Sequence, residues 1–317
     1  MYYLGIDLGG TNIGAGVIDE DNKIIGSSKR KTRVPCTPED ICEQLAVTAF
    51  EALYNAEITI DDVPWVGIGT PGTVNRDNGV VEFSNNLQFN NLELKKLLEA
   101  RMNKKVIVEN VANAAAYGEY QAGALKGAKN ALAITLGTGV GSGIIIDGKI
   151  YAGTNYAAGE MGHTVIVYNG RHCSCGRDGC WEMYASATGL IKSTRHAMMR
   201  TEDHTSPIWK LVENDLSNVN GRTAFDAMRA GDPVGKSVVD EYIAYLGCGL
   251  VNCINTLQPD ILCIGGGICA EGDTLLKPLH EYIARQAYTI NTKNQTKLCI
   301  AELGNDAGII GAALLGK

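Results

Sequence analysis

The chain has 317 residues, 45% of them hydrophobic and 20% charged, with 38 glycines and a formal net charge of −7 at pH 7. That acidic balance leaves no basic footprint for nucleic acid, and no apolar run approaches the roughly 20 residues of a membrane span. Met1-Tyr2-Tyr3 leads directly into an apolar stretch, which leaves no room for a signal peptide, and the length favours two domains, each able to bury a core.

In chain order, Tyr3 to Ile6 reads as a strand, Asp7-Leu8-Gly9-Gly10-Thr11-Asn12 as a tight glycine loop, Ile13 to Ile18 as a second strand, and Asp19 to Lys23 as a polar turn. A glycine loop between strands lets backbone N–H groups approach a ligand and suits phosphate. Placing Asp7 on Thr135 aligns DLGGT at 7 to 11 with TLGTG at 135 to 139, and VID at 17 to 19 with IID at 145 to 147, without a gap. Two copies of a strand, glycine loop and strand unit suggest a duplicated fold with two phosphate loops facing one another.

Thr37-Pro38 opens a helical face over 39 to 54, and Trp65 to Ile68 is a strand ending in Gly69-Thr70-Pro71-Gly72. Leu92 to Met102 is predicted helical and Lys105 to Glu109 extended. This strand delivers Asn110-Val111-Ala112-Asn113 to a helix over 114 to 124, the kind of junction where open α/β sheets place their chemistry. Ala131 to Leu136 and Ile144 to Ile146 form the second hairpin. Helices are predicted over 185 to 199, 223 to 230 and 234 to 257; Arg200 to Asn220 is polar and weakly patterned. Ile261 to Ile264 is a strand running into Gly265-Gly266-Gly267, where a flat ligand can lie against backbone, and Gly304 to Gly308 opens a last apolar helix.

The densest chemistry lies in GEMGHTVIVYNGRHCSCGRDGCWE at 159 to 182. His163, Cys173, Cys175 and Cys180 have the residue types and spacing of a closed tetrahedral zinc site, with Gly176 and Gly179 permitting the turns; free thiols or a disulfide are the alternatives. Four protein ligands argue against a zinc hydrolase, because catalytic zinc keeps a position open. Glu160 and Glu182 flank the set, and a ligating imidazole keeps one ring nitrogen free for a bound ligand. The other seven cysteines sit mostly in apolar surroundings, so a reducing cytoplasm is the expected compartment.

DLGGTN at 7 to 12, GTPGTV at 69 to 74, LGTGVGSG at 136 to 143, GEMGH at 159 to 163, the CSCGRDGCWE run and IGGGI at 264 to 268 together resemble the ROK family (repressors, open reading frames and sugar kinases), nearest its bacterial glucokinase branch. The resemblance spans about residues 3 to 315. It implies an α/β, duplicated ribonuclease-H-like (actin/hexokinase-like) two-domain fold with a ligand cleft between domains. A smaller ATPase-like domain would comprise 1–108 with 303–317, and a larger one, 109–302, would carry the zinc loop and the sugar site.

The implied activity is ATP-dependent phosphorylation of a hexose, glucose to glucose 6-phosphate, with Mg²⁺ accompanying ATP and zinc in a structural role. By similarity Gly9, Gly10, Thr11, Gly137, Thr138 and Gly139 hold the ATP phosphates, Asp7 sits near Mg²⁺, and Gly266 and Gly267 flank the adenosine. Asn86, Asn110, Glu160, His163 and Glu182 take the sugar hydroxyls. Membership also implies a homodimer or larger homo-oligomer.

One position departs from the family pattern. The motif is normally E-N-D-A-N, with the aspartate as general base for the attacking 6-hydroxyl; here Glu109-Asn110-Val111-Ala112-Asn113 places valine there. Valine can neither accept the proton nor bond the hydroxyl, so slow turnover is expected, and Glu109 lies too far back along its strand to substitute. The alternatives are a kinase for N-acetylmannosamine or another hexose, and a catalytically silent sugar sensor. The repressor members carry a helix-turn-helix ahead of the first strand, where this sequence has two residues, so DNA binding is not expected.

Overall fold

The computed structural model describes residues 1–85, 87–289 and 291–317. In chain order its strands are β1 (Tyr3–Leu8), β2 (Asn12–Ile18), β3 (Ile24–Lys31), β4 (Val66–Thr70), β5 (Thr73–Asn75), β6 (Val80–Ser84), β7 (Phe89–Leu92), β8 (Val106–Asn110), β9 (Ala131–Leu136), β10 (Val140–Ile146), β11 (Lys149–Ile150), β12 (Ile261–Gly265) and β13 (Lys297–Ile300). The helices are α1 (Pro38–Asn55), α2 (Leu94–Met102), α3 (Val111–Ala122), α4 (Glu182–Ala185), α5 (Ala187–Met199), α6 (Pro207–Leu211), α7 (Thr223–Arg229), α8 (Pro233–Leu257), α9 (Asp273–Gln286) and α10 (Ala307–Leu314).

Two sheets share one plan: β3-β2-β1-β4-β8 and β11-β10-β9-β12-β13. In the first, β1, β2 and β3 are antiparallel while β4 and β8 run parallel to β1; in the second, β11 is antiparallel to β10 and β12 parallel to β13. The internal repeat is borne out at the level of boundaries. With Asp7 on Thr135, β1 falls on β9 and β2 on β10, end for end. The chain packs as two units, one of Met1–Ala133, Ser142–Gly159 and Ala301–Lys317, the other of Ile134–Gly141 and Glu160–Ile300. Residues 109–133, 142–159 and 301–302 thus fall in the first unit, where the sequence places them in the larger domain, 109–302.

In the first unit a trough of missing side chains seats α10. Gly5 on β1 stands opposite Gly16 on β2 and Gly67 on β4. A Cβ at Gly5 would run into the backbone of Ile309 and Ala313, and one at Gly67 into the Ala312 carbonyl. Gly118 of α3 and Gly311 of α10 face each other's backbone in the same way, so the two helices cross at close range. The opposite face of the sheet buries Leu4, Ile6, Leu8 and Ile68 with Ile41, Leu45 and Ala49 of α1. Thr37 and Asp40 cap α1 reciprocally, with Pro38 in its first turn. Helices on both faces explain why β1 is almost wholly buried instead of alternating.

Several elements depart from the sequence reading. β3 and the short strands β5, β6 and β7 have no counterpart among the expected elements: β3 is mostly polar, and the other three are only three to five residues long. The polar stretch after Arg200 contains α6, whose Ile208 and Trp209 join a buried cluster with Met198 and Val212. The helix expected over 185 to 199 is α5, starting at Ala187 because Ser186 turns extended and accepts a hydrogen bond from Gly189 N at 3.0 Å; the short α4 precedes it. In the second unit, buried Trp181 donates to the Tyr245 carbonyl of α8 at 3.0 Å and packs where a Cβ on Gly249 would stand.

Candidate active site

The two glycine loops close differently, the first across three residues and the second across two. Gly9 N donates to Asn12 O at 2.8 Å and Gly137 N to Gly139 O at 3.0 Å, so the first glycine amide in each loop is spent closing the turn. Thr32 fastens the first loop by donating to Gly9 O at 2.7 Å. Just before that loop, Asp7 lies against the first turn of α10; a Cβ on Gly308 would stand 2.8 Å from Asp7 Oδ2. Burial pushes the Asp7 carboxyl up to about 6, with Lys29 pulling it back.

The β8–α3 junction of the first unit is built around an asparagine cap. Asn110 Oδ1 accepts from Ala112 N at 2.8 Å and Asn113 N at 3.3 Å, and Nδ2 donates to Gly72 O at 2.9 Å. Among the described residues, one amide hydrogen of Asn110 remains beyond these bonds. The cap starts α3 at Val111, three residues earlier than the sequence reading, and leaves Val111 half-buried on its first turn. Glu109 is 1% exposed. Its Oε1 accepts from Asn110 N at 2.8 Å and Asn113 Nδ2 at 3.0 Å, and its Oε2 lies 2.7 Å from Arg76 Nε. Burial raises its carboxyl above the ordinary range, while Arg76 and the bonds from Asn113 and Asn110 oppose the rise.

In the second unit the second glycine loop gathers the remaining candidates. Glu182, the first residue of α4, accepts from Val140 N at 2.9 Å, and its carboxylate occupies the space a side chain at Gly139 would need. Gly162 lies against the Val140 carbonyl from the 3₁₀ turn Met161–His163, where a Cβ would collide. Gly266, at φ +113°, lies flush on the Leu136 backbone, which sets the Gly265-Gly266-Gly267 turn beside the loop that begins at Gly137. A Cβ at Gly267 would meet nothing within 4 Å.

The cysteine loop folds back on this group. His163, Cys173, Cys175 and Cys180 bring their ligand atoms within 4.8 Å of one another, His163 and Cys173 meeting Nδ1 to Sγ at 3.7 Å and Cys175 and Cys180 Sγ to Sγ at 3.6 Å. His163 Nε2 is turned the other way, 4.0 Å from Glu160 Oε2. Trp181 N donates to Thr164 O at 2.8 Å and Val165 pairs with Cys180, so one knot fixes both the His163 turn and the start of α4.

The structure therefore collects Gly137, Thr138, Gly139, Gly266, Glu182, Glu160, His163 and the three cysteines in one unit, and Asp7, Gly9, Gly10, Thr11, Asn110 and Val111 in the other. Asn86 lies outside the described residues. Sequence reasoning missed Arg76 and the cap-and-carboxylate arrangement behind Asn110. Only the charge of Arg76 beside a turn was visible, and its buried partner stands far away in sequence.

Duplicated sheets of this order, a glycine loop at the same place in each and a carboxylate resting on one of them define an α/β protein of the actin/hexokinase-like two-domain class. The chain belongs to the ROK family, which it matches over residues 3–317. A glucokinase of Streptomyces coelicolor is 38% identical over 99% of this chain and 97% of its own. The crystal structure of a ROK family glucokinase from Streptomyces griseus in complex with glucose and AMPPNP superposes with a TM-score of 0.82 at 35% identity, covering 99% of this chain and 98% of that one. A ROK hexokinase from Thermus thermophilus gives a TM-score of 0.82 at 30% identity, covering 99% and 97%. Among the described residues no helix is long and apolar enough to cross a membrane.

Proposed function

We propose that this protein binds a hexose and ATP and is built to transfer the terminal phosphoryl group to the sugar 6-hydroxyl, with glucose the first substrate to test. The observation that carries the reading is the contact of Glu182 with the Gly139–Val140 loop, which sets a hydroxyl-reading carboxylate against a phosphate cradle. The family match and the glucokinase relatives support it. In this reading the amides of Gly10, Thr11, Thr138 and Gly139 face the phosphates, since those of Gly9 and Gly137 close their turns. Asp7 faces the Mg²⁺ that accompanies ATP, and the open side of Gly267, next to Gly266, takes the adenosine. Glu160, Glu182, the His163 Nε2 side and the remaining amide hydrogen of Asn110 take sugar hydroxyls. A site that pairs each hydroxyl discriminates against analogues lacking one.

Zinc fits the cysteine cluster. Tetrahedral zinc with bonds of about 2.3 Å to sulfur and about 2.0 Å to nitrogen requires ligand separations of roughly 3.5 to 3.8 Å, and the cluster offers 3.6 and 3.7 Å. His163 would ligate through Nδ1 and Cys173, Cys175 and Cys180 through sulfur, closing the site and leaving Nε2 directed to the Glu160 side. Zinc there supplies folding energy and orientation, with no part in bond making.

Phosphoryl transfer asks a protein for alignment, charge neutralisation and a base for the incoming hydroxyl. At position 111 this chain has no base, and Glu109 is held away by Arg76, Asn113 and Asn110 N. The chain as written therefore turns over slowly. The test is a coupled assay of glucose phosphorylation comparing it with Val111→Asp, for which a gain of roughly 10² to 10⁴-fold is expected. Equal rates would remove the role assigned to position 111, and calorimetry with no heat from any hexose would remove the sugar-binding reading itself.

A further inference from the structure

The tip of the β5–β6 hairpin is stiffened from within. Gly79 N donates to Asn75 O at 2.8 Å, Asp77 N to Asn75 Oδ1 at 3.2 Å and Val80 N to Asn78 Oδ1 at 3.0 Å. Two side chains leave this tip for other elements. Arg76 reaches Glu109 Oε2 at 2.7 Å through Nε and donates to the Ile150 carbonyl at 3.4 Å through Nη1. Asp77 accepts from the Tyr156 hydroxyl at 2.6 Å.

Both destinations lead to residues assigned to the sugar. Glu109 bonds the backbone of Asn110 and the side chain of Asn113, so it fixes the first turn of α3. Tyr156 lies in the segment running on to Gly159 and Glu160, and its φ of +58° is one that non-glycine residues avoid unless something holds them. A cavity of about 550 Å³, lined by Arg76, Glu109, Tyr151, Thr154 and Tyr156 among others, separates the hairpin, β8 and this segment. Where a cavity replaces side-chain packing, the polar links that span it set the spacing of the walls.

We propose that Arg76 and Asp77 are positioning residues for sugar binding: the hairpin tip is a latch that holds the start of α3 through Glu109 and the approach to Glu160 through Tyr156. Neither touches the sugar. The proposal rests on the hexose-kinase reading above and adds to it two residues that reading does not contain.

The experiment is calorimetric titration of glucose and, separately, AMPPNP into the full chain and its Arg76→Met, Arg76→Lys and Tyr156→Phe variants. Arg76→Met is expected to weaken glucose binding at least tenfold while AMPPNP affinity stays within twofold. Arg76→Lys, which keeps the charge beside Glu109 but loses the second bond, falls between. Tyr156→Phe, which removes one partly exposed hydroxyl and threatens no core, is expected to weaken glucose binding three- to tenfold and decides the matter should Arg76→Met not fold. Glucose affinity within twofold of the unaltered chain in Tyr156→Phe and in any folded Arg76 variant would overturn the proposal, as would equal losses for glucose and nucleotide. An unaltered chain that binds AMPPNP but no hexose would instead overturn the sugar-binding reading, and the latch with it.

Discussion

Asp7 illustrates how a carboxylate is held against its own preference. Its carboxyl is raised from 3.8 to about 6 chiefly by burial. A folded-state value above the unfolded one means that the folded chain binds the proton more tightly. Stability therefore falls as pH rises from about 4 to about 6 and stays at the lower level above that. The full effect is on the order of 2 to 3 kcal/mol. Asp7→Asn is expected to raise the melting temperature at pH 7.5 and leave it nearly unchanged at pH 4; equal shifts at both values would refute burial as the cause. Val111 sits at a different kind of position, the first residue of a helix, where an introduced aspartate meets the positive end of the helix dipole. Val111→Asp should therefore cost little stability, which denaturant midpoints for the two chains would check.

At the scale of elements, α10 and α3 depend on what is missing from their neighbours. Gly67 and Gly311 do not serve turns; they are flat places where a helix backbone lies directly on another element. Gly311→Ala is expected to destabilise by roughly 1 to 3 kcal/mol through overpacking against Ala114 O. Gly221→Ala, where an added Cβ meets nothing within 4 Å, should change stability by less than about 0.5 kcal/mol. Denaturant midpoints for the pair provide the measurement, and equal losses would show that conformational freedom of glycine, and not close approach, is at stake. The glycines were visible in the sequence as a count. Their alignment across β2, β1 and β4 came from strand register, which pairs residues far apart in the chain.

For the molecule as a whole, the proposed zinc at the cysteine knot predicts that a metal stabilises one unit. The purified chain is expected to hold about one zinc. A chelator should lower hydrogen-exchange protection in α5 and α8, tied to the knot through Trp181 and Ser186, while β1, β2 and β4 of the first unit keep theirs. Uniform loss across both units would mean that the knot is not a local clamp.

The sequence by itself determined the repeat and the cysteine set, for a shared reason: both are carried by residue types at fixed spacing along the chain. The hairpins of β1–β2 and β9–β10 correspond because the same local pattern of apolar run, glycines and apolar run folds the same way twice. The knot was legible because thiols and imidazole at that spacing have few other uses. Tertiary structure alone decided that Asn110 caps α3, that Glu109 is buried on Arg76, and that Glu182 rests on the Gly139 loop. Polar β3 and the β5–β6 hairpin were equally hidden. The physical reason is that a polar side chain announces its charge in the sequence but not its partner, and partners separated by dozens of residues meet only once the sheets have set their register.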